Sequence, residues 1–120
     1  MELTVTTRII SGVVILDMTG RLWILDLPLR DLIRKMLNDE HRHFVLNLSG
    51  LSYLDSSGLG QMIAIWTSIH NRNGHLTLLR PSARVKTLLD ITKLRSVFEI
   101  FENEGEAIDA AKNRAAAVRV

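Results

Sequence analysis

A short hydrophobic run, residues 44–48, is followed after a polar interval by a segment with apolar residues at helical spacing. These residues follow the i, i+3, i+4, i+7 pattern of an amphipathic helix: Leu59, Met62, Ile63, Trp66 and Ile69. The pattern predicts a buried strand, a short loop and then a helix. The helix is expected to run from about Ser57 to Arg72, because Asn73-Gly74 is a signal for a helix C-terminus.

The residues at the start of this predicted helix are the most informative in the chain. Asp55 and Ser56 are both favoured N-cap types, because their side-chain oxygens accept hydrogen bonds from amides of the first turn. Of the two serines, Ser56 is the expected cap. Gly58 and Gly60 each cost about 1 kcal/mol relative to alanine inside a helix, which suggests that something outside the chain approaches the backbone here. Ser57 is therefore expected to be exposed.

Strand and helix patterns alternate along the remaining chain. Residues 3–9 and 13–18, separated by Ser11-Gly12, predict an antiparallel hairpin. Residues 19–28 read as an apolar loop and residues 49–57 as a second loop. Further strands are predicted at 76–79 and 97–101, and further helices at 29–37, 81–89 and 104–118. This order predicts an α/β fold with a mixed, mostly parallel sheet of about five strands and about four helices.

Length and composition favour one domain, residues 1–120, located in the cytoplasm. The absence of cysteine excludes disulfides, thiolate catalysis and cysteine-ligated zinc. The net charge is only +2 and the basic residues are dispersed, so nucleic-acid binding is not indicated. No signal peptide is recognised, and no apolar run approaches the ~18 residues of a membrane span.

Parallel sheets collect their binding sites where the carboxyl ends of strands enter the following loops. Three predicted loops share that edge: 20–28, 49–57 and 80–83. Side chains from the first and third loops are expected near Ser57: Arg21, Trp23 or Asp26, and Arg80 or Ser82.

Residues 43–48, followed by Leu51-Ser52-Tyr53-Leu54-Asp55-Ser56-Ser57-Gly58-Leu59-Gly60, resemble the STAS family. The resemblance is to the bacterial anti-sigma factor antagonists of the sporulation and stress-response type. Residues 73–78, 85–90 and 97–102 support it, so that it spans nearly the whole chain. The specific part is the Asp-Ser-Ser-Gly-Leu-Gly core.

The resemblance implies a protein that is not an enzyme and that switches partners. The unphosphorylated antagonist binds an anti-sigma factor that is also a serine kinase, and so frees a sigma factor. The kinase phosphorylates the second serine of the motif, here Ser57, and a serine phosphatase resets the switch. No cofactor is implied, because ATP belongs to the kinase. The implied partner-binding residues are Asp55, Ser56, Ser57, Gly58, Leu59, Gly60, Arg21, Trp23 and Asp26.

The chain departs from the family pattern at one place. Family members usually carry an acidic residue in a Gly-x-Leu-Asp pattern after the second strand, whereas Gly20-Arg21-Leu22-Trp23 has tryptophan there. Asp26 could replace that acid from further along the loop, or Asp55 could be the acid of the site by itself.

Two alternatives to the switch remain. The first is a STAS scaffold or regulatory module, of the stressosome type or linked to small-ligand or lipid transport, in which Ser57 is not modified. The second is a serine hydrolase, because a strand, a serine and a helix also describe a nucleophile elbow. That motif requires glycine where this chain has Asp55. His41 and His43 could contribute to a metal site, but no third ligand is apparent, so no metal is expected.

Overall fold

A computed structural model of the chain describes residues 3–22 and 27–117. The strands are β1 (Thr4–Ile10), β2 (Val13–Leu22), β3 (His43–Leu54), β4 (His75–Leu79) and β5 (Glu99–Phe101). The helices are α1 (Leu27–Asn38), α2 (Ser56–Asn71), α3 (Ala83–Ile91) and α4 (Glu104–Ala117), with a short 3₁₀ turn at Leu94–Ser96. The predicted set of elements is therefore confirmed.

The five strands form one sheet in the order β1-β2-β3-β4-β5. The β1–β2 pair is antiparallel, and the other three pairs are parallel. Ser11 and Gly12 connect β1 to β2 with positive φ angles of 53° and 80°, the conformation that two-residue hairpin turns require. The predicted mixed, mostly parallel sheet is confirmed.

Strand β3 is longer than predicted. The prediction ended it at Leu48 and treated residues 49–57 as a loop, but pairing with β2 continues through Gly20↔Leu51 to Leu22↔Leu54. The register shifts twice along this stretch, as in a β-bulge. At Gly50 an added Cβ would lie 2.9 Å from the carbonyl oxygen of Met18, so this glycine allows close backbone approach rather than a turn.

The predicted loop at 19–28 is also shorter than expected. Strand β2 continues to Leu22 and α1 begins at Leu27, so both ends of the predicted loop belong to regular elements. The candidate site residues Trp23 and Asp26 lie outside the described residues.

Strand β5 starts two residues later than predicted. The amides of Val97 and Phe98 both donate to the carbonyl oxygen of Leu94, at 2.9 and 3.2 Å. Those amides are therefore used in the 3₁₀ turn and are not available for the sheet. Pairing with β4 begins only at Glu99.

Helices cover both faces of the sheet. Helices α1, α2 and α3 pack on one face, where their buried side chains meet those of the central strands: Leu29, Ile33, Leu37, Met62, Ile65, Ile69, Val85, Leu89, Leu16, Phe44, Leu46 and Leu78. Helix α4 packs on the other face, where Ala107 and Ala111 contact a smaller cluster around Ile15 and Val45. The predicted inward positions of α2 are buried except Ile63, which is 36% exposed, and Trp66, which is half-buried and stacks on His70.

Within the described part of the chain, none of the helices has the length and apolar character needed to span a membrane.

Candidate functional site

Asp55 is the residue that starts helix α2. It has the extended backbone of an N-cap, and its Oδ1 accepts a hydrogen bond from the Gly58 amide at 2.8 Å. Its carbonyl oxygen accepts from the Leu59 amide at 2.9 Å. Of the two residues predicted as cap types, Asp55 is confirmed as the cap. Ser56 is already the first helical residue, so the prediction of Ser56 is wrong. Asp55 takes the role because it directly follows the last extended residue of β3.

The carboxylate of Asp55 is held by two groups at once. Besides the Gly58 amide, the Tyr53 hydroxyl donates a hydrogen bond to Oδ2 at 3.0 Å. The Gly58 amide, followed by the Tyr53 hydroxyl, keeps the pKa of Asp55 below its usual value. The same contact raises the pKa of Tyr53. At neutral pH the site therefore carries an ionised carboxylate beside a protonated phenol.

Positive charge flanks this pair. Arg21 and Tyr53 are register partners on β2 and β3, and the guanidinium carbon of Arg21 lies 4.6 Å from the centroid of the tyrosine ring. That distance is typical of a cation–π contact. The charges of Arg21 and of Arg84, in the first turn of α3, both oppose the rise in the pKa of Tyr53. The site thus combines an acidic group with basic groups from two other elements.

Ser56 and Ser57 are both exposed at the start of α2, as predicted for Ser57. Gly60 is exposed as well, and an added Cβ there would meet nothing within 4 Å. Gly58 and Leu59 are buried, so the expectation that a partner reaches Gly58 closely does not fit its position. The outer surface of the motif is formed by Ser56, Ser57 and Gly60, with Leu59 supporting it from the core.

The third predicted loop contributes differently from what was expected. Arg80 donates from Nε to the Glu102 carbonyl oxygen at 2.8 Å, and Ser82 accepts from the Val85 amide at 3.2 Å as the N-cap of α3. These contacts tie Arg80 to the residue that follows β5, and Ser82 to α3. From this region it is the charge of Arg84, rather than that of Arg80, that bears on the pKa of Tyr53.

Tyr53 and Arg84 were not identified from the sequence. Tyr53 precedes Asp55 by two positions, and residues two apart on an extended strand share a face, so this spacing was a usable signal. Arg84 gave no such signal, because its position depends on how α3 leaves the sheet.

The four histidines lie far from Ser57. His43 and His75 are paired at the start of β3 and β4, whereas Ser57 follows the far end of β3, a strand of 12 residues and roughly 35 Å in length. His41 precedes β3 at that same end, and His70 lies in the last turn of α2. A histidine base for Ser57 therefore has no support in this geometry. His43 contacts the Ala111 carbonyl oxygen at 3.1 Å, and no group of three metal-ligating side chains occurs among the described residues.

Comparison with known proteins gives consistent matches over most of the chain. The family model described as the STAS domain matches residues 4–107. An anti-sigma F factor antagonist from Paenibacillus polymyxa is 28% identical over 113 residues, which cover 90% of this chain and 94% of that protein. An anti-sigma-B factor antagonist from Staphylococcus aureus is 30% identical over 91 residues, covering 75% and 82%.

A solved structure is also similar. The crystal structure of a proposed anti-sigma factor antagonist from Thermotoga maritima superposes with a TM-score of 0.81 and 27% identity. The superposition covers 90% of this chain and 94% of the Thermotoga chain. The strand and helix arrangement described above is therefore that of known relatives.

Proposed function

Since the chain belongs to the STAS domain family, we propose that it is an anti-sigma factor antagonist regulated by phosphorylation of Ser57. In its unmodified form it binds an anti-sigma factor that is also a serine kinase, and a sigma factor is released. The kinase then transfers the γ-phosphoryl group of ATP to the Ser57 hydroxyl, leaving ADP, and the complex dissociates. A serine phosphatase hydrolyses the phosphoserine and restores the first state.

The observation that carries this proposal is the exposed hydroxyl of Ser57 at the start of α2, inside the Asp-Ser-Ser-Gly-Leu-Gly motif. Asp55, two residues before Ser57, accepts from the Gly58 amide at the same helix start, and this hydrogen bond keeps the pKa of the carboxyl group low. Gly60 leaves open space on the same exposed surface. A partner can therefore approach the helix start closely and meet the serine and the carboxylate together.

The position of Ser57 determines how a phosphate would act. A helix N-terminus stabilises anions, so the modification is compatible with the folded domain. The added charge of about −1.5 to −2 would lie beside the ionised Asp55 on the partner surface. Converting a complex from mostly bound to mostly free requires roughly 5.5 kcal/mol of differential affinity. Desolvating a phosphate and juxtaposing like charges cost several kcal/mol, which is of that order. Phosphorylation thus blocks the interface and leaves the fold intact.

The direct test uses the cognate anti-sigma kinase and ATP, followed by peptide mapping and a binding measurement. We expect phosphate on Ser57, permanent binding by Ser57→Ala and loss of binding by Ser57→Asp. The neighbouring exposed serine supplies the matched control, because Ser56→Ala should still be phosphorylated and released. Phosphate on Ser56 alone would show that the acceptor is misassigned.

One observation favours the second candidate, a STAS scaffold without a phosphorylation switch. Where the family pattern implied by the resemblance has an acid after Gly-x-Leu, this chain has Trp23, and Arg21 adds positive charge over Tyr53. A binding partner that is retained equally by Ser57→Asp and the unmodified chain, with no phosphate transferred, would support the scaffold.

A further inference from the structure

A pocket of about 210 Å³ lies between helices α1 and α2, along the C-terminal half of α2. It is lined by Arg30, Arg34, Leu37, Ile65, Ser68 and Arg72. Ser68 follows Ser57 by eleven residues on the same helix, about 16 Å along its axis. The pocket is therefore separate from the partner surface proposed above.

Three guanidinium groups from two helices line this one pocket, and its lining among the described residues includes no carboxylate. Arg30 and Arg34 are one turn apart on α1, a spacing at which like charges destabilise a helix. Arg72 adds a third charge from the C-cap of α2. Such a concentration of positive charge is stabilised when an anion binds between the groups.

The contacts of two of these arginines are long. Arg34 Nη1 lies 3.5 Å from Asp31 Oδ1, and both side chains are about 70% exposed, so this ion pair contributes little. Arg72 donates to the Leu37 carbonyl oxygen at 3.3 Å and to Asn38 Oδ1 at 3.4 Å. Those contacts hold the Arg72 side chain against the end of α1. A guanidinium has five N–H donors, so each of these groups retains donors for a ligand.

The apolar lining gives the pocket a rigid base. Leu37 and Ile65 are each 2% exposed and belong to the core between the sheet and the two helices. A fixed base under several charged groups favours a small, compact ligand over an extended surface contact. The volume is below the roughly 300–1,000 Å³ of drug-sized ligand sites. The pocket is therefore suited to a small ion, or to one part of a larger ligand, rather than to a whole nucleotide.

We propose that this pocket binds a small oligophosphate anion through Arg30, Arg34 and Arg72. Arginine matches phosphate in shape as well as charge, because its planar fork donates two parallel hydrogen bonds to one phosphate group. Two linked phosphates present acceptor oxygens to arginines from both helices at once. Two sources carry this chemistry: free pyrophosphate, and the oligophosphate part of a nucleotide whose base and sugar remain outside.

The test is a titration of the full chain with inorganic pyrophosphate, followed by calorimetry and by amide NMR shifts. We expect the shifts to concentrate on α1 and the C-terminal half of α2. Arg30→Ala and Arg34→Ala should each weaken binding at least tenfold, and Arg34→Lys should weaken it less. Both arginines are exposed, so these variants should fold, which circular dichroism checks.

Arg95→Ala is the matched control, because Arg95 is an exposed arginine with a similar 3.4 Å contact to Asp90 outside the pocket. It removes the same net charge and should leave the pyrophosphate affinity within twofold of the parent. Equal losses in Arg34→Ala and Arg95→Ala would overturn the proposal, since only general charge attraction would remain. Shifts centred on Ser56 and Ser57, or binding of an acidic peptide but not of pyrophosphate, would also overturn it.

A parallel titration with ATP in the absence of magnesium separates the two sources of the anion. Affinity equal to that of pyrophosphate, lost in Arg34→Ala, assigns recognition to the phosphates alone. Tighter binding of ATP than of pyrophosphate, with additional amide shifts beyond the pocket, shows that the rest of the nucleotide is also recognised. Either result supports the oligophosphate site. Ser57→Asp should bind pyrophosphate like the parent chain, so failure of this proposal and failure of the switch at Ser57 are distinguishable.

Discussion

Among single residues, Asp55 connects the largest number of features at the candidate site. Its two oxygens accept from the Gly58 amide, which needs a partner at the helix start, and from the Tyr53 hydroxyl. Through Tyr53 it is also linked to Arg21. One carboxylate therefore connects the start of α2 with β2 and β3.

Removing that carboxylate should destabilise the domain. In Asp55→Ala the Gly58 amide loses its acceptor, and we expect the free energy of unfolding to fall by about 1 kcal/mol. Asp55→Asn keeps an oxygen acceptor at the cap, so its free energy of unfolding should fall much less. Urea unfolding followed by circular dichroism measures both values. An unchanged midpoint in Asp55→Ala would show that the cap does not contribute to stability.

The hydroxyl of Tyr53 should be measurable through Asp55. In Tyr53→Phe one hydrogen bond to the carboxylate is lost, so the pKa of Asp55 should rise toward its usual value. It should remain lowered, because the Gly58 amide is the larger cause and is retained. An NMR pH titration of the Asp55 carboxyl carbon gives the result. Since the ring under Arg21 is preserved, a pKa equal to that of the parent would exclude the hydroxyl as a cause.

At the level of elements, two glycines near the ends of α2 have opposite environments. In Gly60→Ala the new methyl group meets nothing within 4 Å, so the better helix propensity of alanine should raise the free energy of unfolding by about 0.5–1 kcal/mol. In Gly74→Ala the Cβ would lie 2.5 Å from the Arg42 carbonyl oxygen and 2.8 Å from Ile69 Cγ2. This crowding should cost about 1–3 kcal/mol. Thermal or urea unfolding distinguishes the two signs.

Gly60→Ala also tests the partner surface at the start of α2. If the anti-sigma factor approaches the start of α2 as proposed, Gly60→Ala should weaken binding although the domain is more stable. Weakened binding in a stabilised variant cannot be attributed to unfolding. Unchanged affinity would show that the partner does not approach the backbone at this turn.

The elements differ in how far their sequence determines them. The inward positions of α1, α2 and α3 follow from apolar spacing, because each helix buries one side against the same face of the sheet. The second half of β3 could not be predicted, because Ser49-Gly50 has the composition of a turn. Gly50 is required there by the carbonyl oxygen of Met18 on the neighbouring strand, a contact that local sequence does not contain.

In the candidate site, too, some features follow from the local sequence and others depend on contacts between strands. Asp55, Ser56 and Ser57 are recognised from the chain because capping and exposure are local properties of a helix start. The contact between Arg21 and Tyr53 depends on the register of β2 against β3, which shifts between Gly20 and Arg21. A register set by a bulge is a property of the sheet, so it became visible only in the structure.

For the molecule as a whole, the two faces of the sheet are stabilised differently. The face under α1, α2 and α3 is an apolar core, whereas the face under α4 also contains a charged cluster. In this cluster Arg8 of β1 donates to both oxygens of Asp17 on β2, and at 2.6 Å to Glu104 in the first turn of α4. Asn47 of β3 donates to Asp17 at 2.7 Å. One arginine thus connects the edge strand, its neighbour and the last helix.

This cluster should make the stability of the domain depend on pH. The hydrogen bonds from Arg8 are the largest cause of the lowered pKa of Asp17 and of Glu104. For a lowered pKa, the stabilisation is complete above the unfolded value, 3.8 for Asp17 and 4.5 for Glu104, and is lost as the pH falls through the folded value. Arg8 itself stays charged throughout, because the pKa of its guanidinium is raised.

Arg8→Met should remove this dependence while keeping a side chain of similar length. The side chains of Arg8, Asp17 and Glu104 are all partly exposed, so solvent weakens their ion pairs. We therefore expect the variant to be less stable than the parent by about 1 kcal/mol at pH 6. The difference should shrink toward zero as the pH falls through the lowered pKa values of Asp17 and Glu104 and both carboxyl groups of the parent become protonated. Urea unfolding at several pH values measures it, with Arg95→Met as the control at an exposed ion pair. A difference that stays constant from pH 6 down to the pH at which both carboxyl groups of the parent are protonated would mean that Arg8 stabilises the domain by packing of its aliphatic chain rather than by charge.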